Sequence, residues 1–534
     1  MSEKPVVLMP EDIQRIMGKD AQRNNILAAR MVAEMVKTTL GPKGMDKMLV
    51  SPTNDIIVTN DGVTILEEMQ IEHPAAKMMV NIAKTQDSEV GDGTTSVVMI
   101  AGKLLENAEG LLDKKIHPTV IAKGYKMAAE KCLEILNDVA LRIDSNDEEV
   151  LRQVAMTAMT GKSAESSKEK FADIIVRAVK QIQDNGKIDL GNIKIEKSKG
   201  EGISDTELIS GIVLDKEKVS LDMPTYVKDA KIVLIDFPLE LKNPDIDTKI
   251  SISTPEQLQG FLNQEERLIK EMIAKVRDTG ANVVFCQKGI DDFAQYLLSK
   301  SGIYGCRRVA RSDMEKLAKA TGGKIVSQIN ELSASELGSA ELVEEVKHGS
   351  DAFTYIRGCK NPKAVTILIH GGTEHVIDEV ERAFRDGLGV VSSSLKTGLV
   401  VPGGGAIEME LSRRLRIFGQ SLKGREQLAV EQFASALEYI PTTLAENAGM
   451  DPIDVLTELK AKHDAGEKNA GLNLFTNKIE DVLVARIIEP YKIKTQAISS
   501  ATEVANMILR IDDVIASSGS KKGNPKFMDH NEEF

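Results

Sequence analysis

Gly91-Asp92-Gly93-Thr94-Thr95-Ser96 brings together the residue types that hold a phosphate. Small residues let an oxygen reach the backbone, and the helix that follows, Val97–Leu105, offers free amides and the positive end of its dipole. Thr94, Thr95 and Ser96 add hydroxyl donors. Asp92 would be repelled by a phosphate unless a divalent cation lay between them, which points to Mg²⁺. The same residues also read as an Asp- and Thr-capped helix after a glycine turn. Three further clusters have similar chemistry. Leu40-Gly41-Pro42-Lys43-Gly44 is a tight loop at a helix end. Thr59-Asn60-Asp61-Gly62-Val63-Thr64 sets a carboxylate on a strand-to-helix turn, and Val401-Pro402-Gly403-Gly404-Gly405 exposes backbone just before a helix. Each alone reads as an ordinary turn. Together they stand in a chain without GxxxxGK[ST], a GxGxxG after a strand, GxSxG, HExxH or the kinase motif set.

The elements that must position these loops follow from periodicity. Ile26, Ala29, Ala33, Val36 and Leu40 form a helical stripe over Asn25–Leu40, ended by Gly41-Pro42. Lys47–Val50 and Asp55–Thr59 read as short strands around the turn residues Ser51-Pro-Thr-Asn. Ser96–Leu112 and Pro118–Leu141 are helical. From about 213 to 363, strand-like runs (Ala230–Phe237, Ala281–Cys286, Lys324–Val326) alternate with helical ones (Gln264–Thr279, Ile290–Ser299, Asp313–Thr321, with Ser312 as N-cap), the pattern of an α/β layer domain. Stretches 146–212 and 369–402 read as connectors. Long helical patterns return after Gly405, at Gly424–Glu446 and Pro452–Ala465. A domain nested inside another makes a hinged arm.

Within the α/β part, Lys242–Gln264 is polar and leads into a helix start at Ser253-Thr-Pro-Glu. Leu258, Phe261 and Leu262 make a small apolar face. Asn263–Arg267 then interrupts the stripe before Leu268, Ile269, Met272, Ile273 and Val276 resume it. Two readings fit: a first half that leaves the core, or one core helix with a polar kink.

The chain has 534 residues, with 68 Lys+Arg against 81 Asp+Glu and a net charge of −13, which argues against a surface built to hold nucleic acid. Seven Tyr, 12 Phe and no Trp leave little for stacking platforms. Cys132, Cys286, Cys306 and Cys359 lie far apart without CxxC, so reduced structural thiols are expected rather than a disulfide framework or a zinc site. The first residues lack an apolar signal segment, and the richest apolar runs, such as Ala364–Ile369, are strand-length, so neither a leader nor a membrane span is expected. The expected setting is cytoplasmic. The polar end, Ser517–Phe534, reads as a tail.

Four blocks carry a resemblance: Leu40-Gly-Pro-Lys-Gly-Met-Asp-Lys-Met48, Val58-Thr-Asn-Asp-Gly-Val-Thr-Ile65, Gly91-Asp-Gly-Thr-Thr95 and Pro402-Gly-Gly-Gly405. With Ala445-Glu-Asn-Ala-Gly449, Lys494-Thr-Gln-Ala497 and Arg510-Ile-Asp-Asp513, the chain from about residue 5 to Ser517 resembles the group II chaperonins. That family comprises the archaeal thermosome and the eukaryotic cytosolic tailless-complex-polypeptide chaperonin. The resemblance implies a multidomain α/β chain: a largely α-helical equatorial ATPase domain (1–145 and 403–534), a small α+β intermediate hinge domain (146–212 and 369–402), and an α/β apical substrate-binding domain (213–368) with a helical protrusion at about 242–268.

The resemblance also implies roles. Leu40, Gly41, Pro42, Gly62, Gly404 and Gly405 would surround ATP; Gly93, Thr94, Thr95 and Ser96 would wrap its phosphates, and Asp92 would hold Mg²⁺. Asp61 and Asp386, the latter in Arg385-Asp386-Gly387, would orient and activate the attacking water, and Lys162 would sense the γ-phosphate. Asn473 and Glu489 would lie near the base and ribose. Leu258, Phe261 and Leu262 would meet a neighbouring protrusion or a client. The hairpin strands, with segments near Val6–Leu8 and Asp513–Ala516, resemble the sheet that joins neighbouring subunits. Expected partners are other subunits, eight or nine in each of two rings, and non-native proteins. Two departures stand out: His370 occupies a place where Arg is expected, and the tail lacks a Gly/Met-rich ending. A nucleotide-gated scaffold without productive cycling would not need the Asp61/Asp386 pair, and a small-molecule kinase would not form a ring.

Overall fold

A computed structural model describes residues 13–51, 54, 56–144, 147–161, 167–184, 186–200, 202–240, 255–348, 351–360 and 362–517. Lys162, Val6–Leu8, the stretch 242–254 and the tail from 518 onward lie outside the described residues.

The largest apolar cluster is built from both ends of the chain and centres on the helix Thr94–Asp113. Val97, Val98, Met99, Ile100, Ala101, Leu104 and Leu105 are all buried there, so the first half of this helix runs through the core. The helices Gly18–Lys37 and Tyr491–Leu509 lie against it, and a Cβ on Gly102 would come within 2.4 Å of Ala33 Cβ. Helix Pro118–Val139 meets helix Glu426–Leu437 through Tyr125 and Phe433, edge to face at 5.7 Å. The helical pattern expected over Gly424–Glu446 is two helices, Glu426–Leu437 and Tyr439–Asn447, with Pro441 in the first turn of the second, where its missing N–H costs nothing. The strand Ile13–Met17 pairs antiparallel with Asp513–Ser517, tying the chain ends together.

A second cluster gathers the helices Glu148–Met159, Lys168–Ile182 and Glu374–Thr397, with Phe171 and Phe384 4.8 Å apart. Strand Val365–Gly371 is central to a small sheet, parallel to Ile193–Lys199 and antiparallel to Glu207–Ile209.

The remaining sheet runs in the order Tyr304–Cys306, Val283–Cys286, Tyr226–Ile235, Gly338–His348, Asp351–Arg357, Gly211–Leu214, with Ile325–Val326 paired to Tyr226–Ile235. The pairs among the first three are parallel and the rest of that path is antiparallel. Helix Pro255–Asp278 is continuous, so Asn263–Arg267 does not break it; Ile269, Ile273 and Val276 pack on the sheet, whereas 263–268 are exposed. Leu258, Phe261 and Leu262 fall in its first half, and their side chains lie outside the described set. Helix Arg311–Thr321 starts earlier than Ser312 predicts: the N-cap is Ala310, whose carbonyl accepts from Asp313 and Met314. All four cysteines are buried and unbonded, and burial pushes the Cys286 and Cys359 thiols up to about 11. Among the described residues no helix is long and apolar enough to cross a membrane.

Candidate nucleotide site

The buried helix Thr94–Asp113 begins at Gly93, which has φ +80° and no side chain to cap the first turn, so its leading amides await an outside acceptor. Asp92 Oδ1 accepts from Gly93 N at 2.7 Å, which fixes the carboxylate at the helix mouth. Beside it, strand Ile56–Thr59 delivers Asp61 as N-cap of helix Gly62–Glu68. Asp61 Oδ2 accepts from Thr64 N (2.9 Å) and Thr64 Oγ1 (2.7 Å), and Oδ1 accepts from Thr94 Oγ1 (3.2 Å). A Cβ on Gly62 would lie 2.6 Å from Thr95 Oγ1, so only glycine lets these two turns meet. Thr39 Oγ1 stands 3.5 Å from Thr95 Oγ1, bringing in the loop after helix Gly18–Lys37. That loop turns at Gly41 (φ +81°), where a Cβ would strike Leu444 Cδ2 at 2.4 Å, and Asn447 Nδ2 holds it by donating to the carbonyls of Lys37 (3.1 Å) and Leu40 (2.9 Å).

The Gly403-Gly404-Gly405 loop closes another side. Gly404 and Gly405 have φ +59° and +75°; Cβ atoms there would lie 2.7 Å from Leu472 O and Pro441 Cβ. Gly404 O accepts from Leu472 N (2.8 Å), which places the adjoining Asn473 next to the loop. Glu489 lies on strand Ile488–Pro490, opposite Val401. Asn473 is turned toward its own hairpin, donating to Glu480 Oε1 (2.6 Å) and accepting from Phe475 N (3.0 Å).

Two pieces of the second helical cluster reach this site. Helix Glu374–Thr397 rests on Gly91: a Cβ there would lie 3.1 Å from Gly389 Cα and 3.7 Å from Asp386 Cα, and Asp386 is buried. Arg382 Nη2 of the same helix donates to Val58 O (3.4 Å), close to Asp61 in the chain. Gly161 (φ +81°) packs on Pro42 and accepts from Asn60 Nδ2 at 3.0 Å.

The model of the TCP-1/cpn60 chaperonin family matches residues 32–518. A thermosome subunit of Methanopyrus kandleri is 57% identical over 518 residues, covering 96% of this chain and 95% of its own. The thermosome subunit beta of Archaeoglobus fulgidus is 57% identical over 523 residues (97% and 96%), and a thermosome subunit of Methanocaldococcus jannaschii 54% over 529 (98% of each). This chain belongs to the TCP-1/cpn60 chaperonin family. It is a group II chaperonin subunit, an ATP-dependent chaperone that assembles with other subunits into a ring.

In this chaperonin the loops at 40–44, 61–64, 91–96 and 403–405 converge, with Asp386 alongside; Leu258, Phe261 and Leu262 belong to a helix of the separate sheet body. The arrangement fits a magnesium–nucleotide. Uncapped amides, left-handed glycines and three hydroxyls suit phosphate oxygens, and the Asp92 carboxylate is a hard oxygen ligand. Among the described residues no group of three His, Cys, Asp or Glu side chains could hold a metal ion. Burial raises the pKa of Glu489, and the nearby charges of Glu408 and Asp92 push the same way against Lys494. Sequence reasoning missed Thr39, Asn60, Gln86 and Asn447. Gln86 Nε2 donates to Asp92 O (3.0 Å) and Ile493 O (3.3 Å), a contact across 407 positions that no local motif marks.

Proposed function

We propose that this chaperonin subunit hydrolyses Mg²⁺–ATP at the Gly91–Ser96 helix mouth and uses the hinge to couple turnover to chamber closure. The backbone of Gly93–Ser96 with the Thr94 and Thr95 hydroxyls binds the phosphates, and Asp92 holds Mg²⁺. That ion neutralises charge on the transferred phosphoryl group when bound. Asp61 and Asp386 orient the attacking water, and one of the two carboxylates accepts its proton. Lys162 approaches the γ-phosphate from the hinge side, while Leu40, Gly41, Pro42, Gly62, Gly404, Gly405, Asn473 and Glu489 line the nucleotide. The observation that carries this reading is the seating of the Asp386 helix on Gly91, since a water-orienting carboxylate borne on a movable arm makes hydrolysis conditional on closure.

Five apolar clusters support a division into an equatorial part (1–145, 403–534), an intermediate part (146–212, 369–402) and an apical part (213–368), except that Val365 and Ile367 pack with the intermediate cluster, on the strand that pairs with Ile193–Lys199 and Glu207–Ile209. The protrusion at about 242–268, with Leu258, Phe261 and Leu262, serves as built-in lid and client contact. The hairpin Lys47–Val50/Ile56–Thr59 exposes Met48 and Val50 and suits pairing with a neighbouring subunit. Two rings of eight or nine subunits, working in the cytoplasm, complete the proposal.

Asp386→Ala should retain nucleotide binding while hydrolysis falls by about 10²-fold or more. Asp92→Ala should weaken Mg²⁺–ATP binding itself. Equilibrium binding and single-turnover hydrolysis on the assembled ring separate the two. Near-parent turnover by Asp386→Ala removes the mechanism.

A further inference from the structure

One buried cation joins loops that approach the nucleotide from distant parts of the chain. Lys494, in the first turn of helix Tyr491–Leu509, is 8% exposed, and its Nζ lies 2.8 Å from Glu408 Oε1 and 2.5 Å from Glu489 Oε2. Burial disfavours its charge, but the two carboxylates hold its pKa above the ordinary lysine value. Glu408 is 3% exposed, in the first turn of the helix that the Gly403–Gly405 loop opens, and its other oxygen, Oε2, has no hydrogen-bond partner among the described residues. Glu489 backs onto the same loop: a Cβ on Gly403 would fall 2.8 Å from Glu489 Oε1. Next to Lys494, the carbonyl of Ile493 accepts from Gln86, which also grips Asp92 O, and Ile493 Cγ2 lies 2.8 Å from where a Cβ on Gly93 would be.

We propose that Lys494 is a positioning residue for the nucleotide, resting on the reading that Gly91–Ser96 holds its phosphates. The ammonium sets the spacing between three separately anchored segments: the glycine loop through Glu408, the strand bearing Glu489, and the Asp92 turn through Ile493 and Gln86. It also offsets the carboxylates of Glu408 and Glu489, whose charges would otherwise add to that of Asp92. Removing it leaves two buried carboxylates a few ångströms apart with no counter-charge; they repel, and the loops they anchor move apart. The Gly403–Gly405 loop and the Glu489 strand, which Lys494 holds directly, line the nucleotide away from the transferred phosphoryl group, so ground state and transition state lose equally. The loss therefore appears in KM and not in kcat.

The test compares parent, Lys494→Met, Lys494→Arg and Lys494→Met/Glu408→Gln as assembled rings, by steady-state ATPase and by calorimetric binding of Mg²⁺–ADP. Lys494→Met should raise KM and Kd by about tenfold or more with kcat within about threefold. Arginine should restore most of the affinity by bridging both carboxylates, and the double variant should recover it because one carboxylate charge is removed with the cation. Unchanged KM and Kd in Lys494→Met, a kcat that falls as far as kcat/KM, or a double variant no better than the single overturns the inference. Should Lys494→Met not assemble, the double variant decides: a ring with KM within about threefold of parent supports charge balance, and a failed ring or a raised KM overturns it. A parent ring that does not hydrolyse ATP would instead sink the site reading.

Discussion

The helical body with the helix Glu374–Thr397 and the seven-stranded sheet bury charge to very different extents. Among the described residues of 211–357, the sheet body buries one charge pair, the side chains of Lys218 and Glu345, 3.8 Å apart. The helical body and the helix Glu374–Thr397 bury Glu379, Asp386, Glu408, Glu410, Glu438 and Lys494. Several of these sit in dense sets of donors: Glu438 accepts from Ser412 (2.7 Å) and Arg416 (2.8 Å) and pairs with Lys460 (2.9 Å). Buried ions seldom stabilise better than apolar side chains of the same size. Their concentration in the helical body and its neighbouring helix shows where geometry, more than stability, shapes the interior. The sheet is held by volume and the loops' surroundings by directed charge.

Paired substitutions separate those two regimes. Phe285, fully buried in the sheet, should cost about 4 kcal/mol as Phe285→Ala, with no dependence on pH, because the loss is cavity and transfer energy. Glu410 is 0% exposed and accepts from His463 Nδ1 (3.1 Å), Arg413 Nη2 (2.9 Å) and Arg414 Nε (2.6 Å). Burial opposes its ionisation, yet these donors outweigh it and hold the carboxyl well below the ordinary range. Glu410→Gln should therefore cost about 3 kcal/mol at neutral pH. A folded pKa below the unfolded value of about 4.3 gives stability that is complete above that pH and fades as pH falls below it, so parent and variant should converge in acid. Urea midpoints read by circular dichroism report both, as shifts, since a multidomain chain has no single two-state free energy. A pH-independent Glu410→Gln effect, or a pH-dependent Phe285→Ala effect, breaks the contrast.

A smaller effect tests whether the directed contacts serve the reaction. Gly389 lies inside helix Glu374–Thr397, where a Cβ would stand 2.5 Å from Val90 O and 3.0 Å from Gly91 Cα. Gly389→Ala should favour the helix by about 1 kcal/mol yet hold it off the Gly91 turn. Hydrolysis should fall by about tenfold with nucleotide affinity kept, as for a group that acts only when the arm is seated. Unchanged single-turnover rates would mean that the helix need not reach Gly91 during turnover.

The tight turns of these loops were legible because left-handed backbone favours glycine: Gly41, Gly93, Gly404 and Gly405 all have positive φ. Asp61 was legible as a carboxylate on a strand-to-helix turn, and it caps that helix. Asp386 was not readable from spacing; it sits mid-helix, 295 positions beyond Gly91 in the chain, and entered through the resemblance. Gln86 and Asn447 look like ordinary helix residues, and their roles arise only when carbonyls some 400 positions away fold against them. The Ser312 cap failed because a first-turn serine and an N-cap serine look alike without the backbone angle of Ala310. The helix Pro255–Asp278 stayed whole across its polar stretch because leaving the core requires only that the apolar stripe stop, not that the helix break.

The smallest effect concerns a side-chain contact between helix Lys168–Ile182 and the hairpin Ala470–Asn473/Lys478–Asp481. Lys168, at the start of helix Lys168–Ile182, holds its Nζ 5.0 Å from the ring centre of Phe475. The Phe475 amide donates to Asn473 Oδ1, and Lys43 of the Gly41–Gly44 loop reaches Asn477 in the same turn (2.8 Å). The turn is thus tied to both the arm and the loop. Phe475 is 58% exposed, so the cation–π contact contributes about 0.5–1 kcal/mol, a two- to fivefold bias toward the seated arm. Lys168→Ala and Phe475→Leu should each lower single-turnover hydrolysis by about that factor, and the double variant should fall no further than either. Full additivity would mean that the ring and the ammonium act separately. The seated arm would then rest on backbone packing alone, at Gly91 against Gly389 and at Gly161 against Pro42.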